Sequence, residues 1–168
     1  MGEDAWGEAR TRELRWWDPA PGLAAAASMS GLDYLRAIAA GELPPAPIGS
    51  HFGMRPTRVE VGEVVFTAEA DESAYNPIGV VHGGMVCTLL DSAAACAVHT
   101  TLPAGTAYTS LDLTVSYLRP ITRDTGPVVA RGWVTKPGRR AALAAADVRD
   151  AEGRVLATAT STCLVMGP

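Results

Sequence analysis

A chain of 168 residues, 48% of them hydrophobic, is one domain's worth of sequence with ample apolar content for a core. Its formal net charge is -4 and its 14 Lys and Arg are scattered, which excludes a nucleic-acid stripe and a basic membrane face and leaves small molecules or other chains as partners. The start, MGEDAWGEAR, is acidic with no apolar leader core, Trp6 stands where an acylation signal needs Ser or Thr, and GLAAAAS is too short to span a bilayer. Three cysteines, Cys87, Cys96 and Cys163, are an odd number without framework spacing and are expected as thiols in a reducing, cytoplasmic setting.

Along the chain, residues 1–49 read as a lead-in with one short helix and residues 50–168 as the main domain. Residues 1–29 mix charge, three tryptophans, DPAPG and an alanine run, and suggest a loosely attached segment with a short strand at TRELRWW. SGLDYLRAIAAGELPPAP has the marks of a helix: Ser30 as N-cap with Asp33 three residues on, Leu32, Leu35 and Ile38 on one face, Gly41 as stop. RVEVGEVVFTAEA alternates around Gly62, as a strand or tight hairpin does. The run from Tyr75 to His99, YNPIGVVHGGMVCTLLDSAAACAVH, is nearly all apolar with one acid, Asp91, and carries a long helix that is apolar almost all round. AYTSLDLTVSYLRP places Leu111, Leu113, Val115 and Tyr117 on one face of a half-buried strand, and three more strands follow, split by KPGRR and DAEG.

A helix apolar on most sides must be covered, and the sheet that follows is the one surface large enough. The fold class is therefore α+β, an antiparallel sheet wrapped around a long central helix. Two glycines at the start of that helix leave its first N–H groups free at the positive end of the macrodipole, a ready oxyanion hole for acyl transfer; close packing at the loop-to-helix junction is the alternative. Around Asp91 the helical neighbours Cys87, Thr88, Ala94 and Ala95 are small, so another group has room to approach the carboxylate. It is either hydrogen-bonded structure at a chain interface or an acid with chemistry to do.

Asn76, His82–Gly84 (HGG), Asp91 and Tyr117–Pro120 (YLRP), at this spacing, resemble the PaaI-like branch of the hotdog-fold thioesterases, related to the 4-hydroxybenzoyl-CoA thioesterases, over roughly residues 50–166. The resemblance implies hydrolysis of an acyl-CoA or aryl-CoA thioester. It assigns the oxyanion donor to Gly83 beside Gly84, the general base or nucleophile to Asp91, and loop orientation and thioester hydrogen bonding to His82 and Asn76. Some relatives carry a Thr one turn after the acid; here that position is Ala95, and Thr109 or Ser110 on the next strand are the candidates to replace it.

The basic residues Arg119, Lys136, Arg139 and Arg140 suit the phosphates of coenzyme A, though a solvated hairpin explains the last three equally well. Cys96 and His99 form a CxxH pair with no second pair, so no metal is expected. Cys87 beside an acid is a blunted nucleophile and is given a packing role. Coenzyme A enters as part of the substrate, with no cofactor. A noncatalytic acyl-CoA sensor is the alternative, and a hotdog hydratase is disfavoured because no Asp and His stand about five residues apart on one loop. If the helix begins near Gly83, Asp91 lies about 12 Å further along it. One carbonyl cannot meet both, so the expected assembly is a homodimer, in a dimer of dimers, with sites shared between antiparallel helices.

Overall fold

The computed structural model describes residue 2 and residues 5–167. Two helices rather than one precede residue 50. The alanine run, strong in helix propensity, forms α1 (Ala20–Ser28). In α2 (Gly31–Ala40) the Ser30 hydroxyl accepts from the Asp33 N–H, and Gly41 ends the helix at φ 77°, in the left-handed region. Residues 11–17, expected as a strand, join no sheet. Side chains hold that segment instead: Arg12 donates to Asp71 and Ser73, and the Ser50 hydroxyl donates to the Arg15 carbonyl.

The remaining elements are β1 (Arg55–Glu60), β2 (Glu63–Glu69), α3 (Gly83–His99), β3 (Ala107–Tyr117), β4 (Pro127–Lys136), β5 (Ala141–Arg149) and β6 (Val155–Met166). β1 and β2 are a hairpin closed by Val61 and Gly62, the glycine at φ 78°. The strands form one antiparallel sheet in the order β1-β2-β4-β5-β6-β3, which leaves β1 and β3 at the edges.

The sheet curls around α3. Inward-facing Val64, Phe66, Val128, Ala144, Val148 and Leu156 meet Leu89, Leu90, Ala93, Ala94 and Val98 of the helix, all of them buried. Each large side chain enclosed this way contributes about 1.5–3 kcal/mol. The small residues of the helix are needed for the fit: a Cβ on Gly132 of β4 would stand 2.1 Å from the Ala93 carbonyl oxygen. At the far end, a Cβ on Gly31 would stand 1.8 Å from the His99 carbonyl oxygen, so α2 seats closely on the last residue of α3.

β3 departs from the simple alternation expected of it. A bulge between Ser110 and Asp112 shifts its phase. Tyr108, Ser110, Leu113 and Val115 are the half-buried residues, while Leu111 is 60% exposed and does not share the face of Leu113.

Candidate functional site

α3 begins at Gly83, with His82 as its N-cap. The His82 ring turns back so that Nδ1 accepts from the Gly84 N–H at 2.9 Å, and the His82 N–H donates to the Ala74 carbonyl at 2.7 Å. An Nδ1 that accepts is unprotonated, which places the proton of the neutral ring on Nε2. Asn76 organises the loop before the helix: its Oδ1 accepts from the N–H groups of Ile78 and Val80, and its own N–H donates to the Val80 carbonyl. With Gly84 occupied by His82, the Gly83 N–H has no hydrogen-bond acceptor among the described residues and sits at the positive end of α3.

The glycines do permit close packing at the loop-to-helix junction. A Cβ on Gly83 would lie 2.7 Å from the Tyr117 hydroxyl, and one on Gly84 would lie 3.0 Å from His82 Nδ1. Asn76, Gly83, Tyr117, Leu118 and Arg119 line one open hollow of about 400 Å³.

Asp91, half-buried two turns along, lines a second open hollow of about 400 Å³ with Cys87, Thr88, Ser110, Leu111, Asp112 and Leu113. Its Oδ1 accepts from the Ser110 hydroxyl at 2.7 Å. The bulge in β3 is what aims Ser110 at the helix while Leu113 and Val115 keep the core face. Thr109 points to the other side of the strand and is exposed, so of the two candidates only Ser110 reaches the acid. Sequence reasoning missed Tyr117, Leu111 and Asp112 as walls of these hollows. The YLRP motif signalled the first; nothing in the alternation signalled a bulge.

The basic residues divide. Arg119 follows β3 at the Gly83 end, where Nη1 donates to the Val155 carbonyl at 2.6 Å. Lys136, Arg139 and Arg140 belong to the β4–β5 hairpin, at the end of the sheet where Ala141 pairs with Leu164 and β3 begins. The 11 residues of β3 separate the two groups, a span of about 33 Å. One chain alone does not bring them together.

The thiols differ in setting. Cys96 is pushed up to about 12, first by burial of its sulfur, although the residue as a whole keeps some exposed surface. Burial also raises Cys163 and lowers His99, which lies between the rings of Tyr34 and Tyr108. Among the described residues, no group of three or more His, Cys, Asp or Glu is placed to hold a metal, and no helix is long and apolar enough to cross a membrane.

Residues 78–157, which span both hollows' helix and edge strand, match the Thioesterase superfamily. Over that segment the chain is similar to this superfamily. Human acyl-coenzyme A thioesterase 13 is 28% identical over 102 residues, covering 60% of this chain and 71% of the relative. A phenylacetic acid degradation-related protein of Ralstonia eutropha superposes with a TM-score of 0.71 at 29% identity, over 78% of this chain and 98% of the other. A Streptococcus mutans protein solved bound to acetyl-CoA superposes at 0.62 with 25% identity, over 68% and 89%. The sheet around a single long helix is thus the hotdog fold that these solved thioesterases share.

Proposed function

We propose that this protein hydrolyses an acyl-CoA or aryl-CoA thioester to the free acid and coenzyme A. The observation that carries the reading is the pairing of an unoccupied helix-terminal amide, Gly83, with a half-buried acid on the same helix, Asp91, each opening into its own hollow. The Gly83 N–H meets the oxyanion that develops as the thioester carbon becomes tetrahedral. Asp91, steadied by Ser110, either takes the proton of the attacking water or itself attacks the acyl carbon, in which case water then hydrolyses the resulting anhydride to release the acid and regenerate the carboxylate. The thiolate of coenzyme A is the leaving group, and with Asp91 as base the proton from water goes to its carboxylate. Asn76 and His82 hold the loop, and His82 Nε2–H and Gly84 face the thioester. Human acyl-coenzyme A thioesterase 13 and the acetyl-CoA-bound Streptococcus protein support coenzyme A as part of the substrate; the proposed reaction uses no further cofactor.

The site is assembled between two copies. Eight residues of helix from Gly83 to Asp91 rise about 12 Å, whereas both groups must lie near 3 Å from the reacting atoms. β3 is an 11-residue edge strand that pairs with β6 on one side only, and its outer side is a ready pairing surface. Antiparallel pairing of β3 with its copy about a two-fold axis sets Gly83 of one chain toward the partner's Asp91. It also carries Arg119 toward the partner's β4–β5 hairpin, joining the basic residues that a single chain keeps apart. Two such dimers form the proposed tetramer, and the three thiols suit a reducing, cytoplasmic setting.

The test is a panel of acyl-CoA and aryl-CoA esters with thiol release as readout. Release from at least one is expected; binding without release from any would leave the noncatalytic acyl-CoA sensor.

A further inference from the structure

Tyr117 closes β3 and is 55% exposed, so burial explains little of its placement. Its ring nevertheless folds back over the first turn of α3. The hydroxyl donates to the Gly83 carbonyl at 3.2 Å and lies 3.0 Å from Cys87 Sγ. The space beside the Gly83 Cα, where any other residue would carry a Cβ, is filled by this side chain, with Oη, Cζ and Cε1 at 2.7, 2.9 and 3.2 Å. Tyr117 also lines the hollow that holds Asn76 and Gly83.

We infer that Tyr117 is a positioning residue for thioester hydrolysis, fixing the Gly83 backbone whose N–H faces the oxyanion. The inference rests on the reading above, in which Gly83 is the donor. Glycine is the residue with the most backbone freedom, and one at a helix start has no side chain to anchor it. The chain before it is tied by His82 N–H to the Ala74 carbonyl and by Val81 N–H to the Ile121 carbonyl. The His82 carbonyl, in the same peptide unit as the Gly83 N–H, accepts from the Met85 N–H at 3.0 Å and so restrains Gly83 from within the chain. Tyr117 does so from the other side, by a hydrogen bond to the carbonyl and by contact at the bare Cα. A donor must come within about 2.7–3.1 Å of an oxyanion that exists only in the transition state, so a loosened Gly83 loses turnover and leaves ground-state binding intact. The Tyr117 hydroxyl thus has two partners, the Gly83 carbonyl, to which it donates, and the Cys87 thiol, where either atom can be the donor. The hydrogen bond with Cys87, and then burial, raise the Tyr117 hydroxyl above its ordinary value, which keeps it protonated and donating at neutral pH.

The experiment compares wild type, Tyr117→Phe and Tyr117→Ala on the ester that the wild type hydrolyses fastest, with kcat and KM read separately. The expected result for Tyr117→Phe is a fall in kcat of about tenfold with KM changed less than about twofold, and a larger fall for Tyr117→Ala. Thermal midpoints of Gly83→Ala, Tyr117→Ala and the double variant test the contact itself. Gly83→Ala alone lowers the midpoint, and adding Tyr117→Ala recovers part of that loss. Undiminished kcat in Tyr117→Phe, or a change confined to KM, overturns the inference and leaves Tyr117 a wall of the substrate hollow. Strictly additive midpoints overturn the steric part. A wild type that releases thiol from no ester overturns the underlying reading and this inference with it, a failure visible before any variant is made.

Discussion

Ser110 Oγ donates to Asp91 Oδ1 at 2.7 Å across the gap between the edge strand and the central helix. That bond orients the one carboxylate of α3 toward an open hollow. Asp91→Asn keeps the shape and the Ser110 contact but cannot accept a proton or attack carbon. Its kcat is expected to fall by at least about a hundredfold, while Ser110→Ala, which leaves the acid and removes its support, costs about tenfold. Steady-state thiol release measures both; wild-type turnover in purified Asp91→Asn would end the role.

The central helix was legible because its apolar run has no polar face to expose, and α2 because Ser30, Asp33 and Gly41 are local signals. Asn76, the HGG turn and Asp91 were legible as a spaced motif. The support given by Ser110 was only half legible: on a regular strand, parity cannot tell which of residues 109 and 110 faces the helix without the pairing register, and a bulge fixes it here. The lead-in was not legible, since Arg12 reaches Asp71, 59 residues away, through side chains that leave no periodic pattern.

The shared site predicts complementation. Asp91→Ala and His82→Ala, each inactive alone, are expected to regain activity when co-expressed, because one of the two sites in a heterodimer then carries neither defect. Purified heterodimers with two different tags, assayed beside a heterodimer of wild type with the double variant, provide the measurement. Heterodimers as inactive as their parents would place Asp91 and Gly83 in the same chain's site.

Cys87 stands midway between Gly83 and Asp91, one helical turn from each in sequence. A two-fold axis that brings Gly83 to the partner's Asp91 must therefore pass beside residue 87. Mild oxidation with copper phenanthroline at pH 8 is expected to yield a covalent dimer on non-reducing gels, absent in Cys87→Ser. Cys96, pushed up to about 12, does not compete: a raised pKa favours the neutral thiol, leaving about one part in ten thousand as thiolate at pH 8. A cross-link that persists in Cys87→Ser would displace the axis.

Salt separates the nucleotide end of the substrate from the acyl end. If Arg119, Lys136, Arg139 and Arg140 hold phosphates, KM for acyl-CoA rises with ionic strength, whereas KM for a short pantetheine thioester with the same acyl group stays nearly level. Equal responses would locate the coenzyme A site elsewhere.

Gly132→Ala tests the contact between sheet and helix. The added methyl has no space beside the Ala93 carbonyl, and overpacking of this kind costs about 1–3 kcal/mol. A fall in Tm of roughly 3–10 °C is expected by calorimetry.

That same contact limits how the candidate site can diversify. With backbone nearly touching backbone at Gly132 and Ala93, α3 has no freedom to roll or slide over the sheet, and its small residues leave no slack to be taken up by repacking. The position of Gly83 and Asp91 over the sheet is then held by the fold as long as the glycine is kept. Change in the walls of the hollows is left to the rim, in the Asn76 loop and along the bulged edge strand, where Ile78 and Leu111 stand largely exposed and a change of side chain disturbs no core.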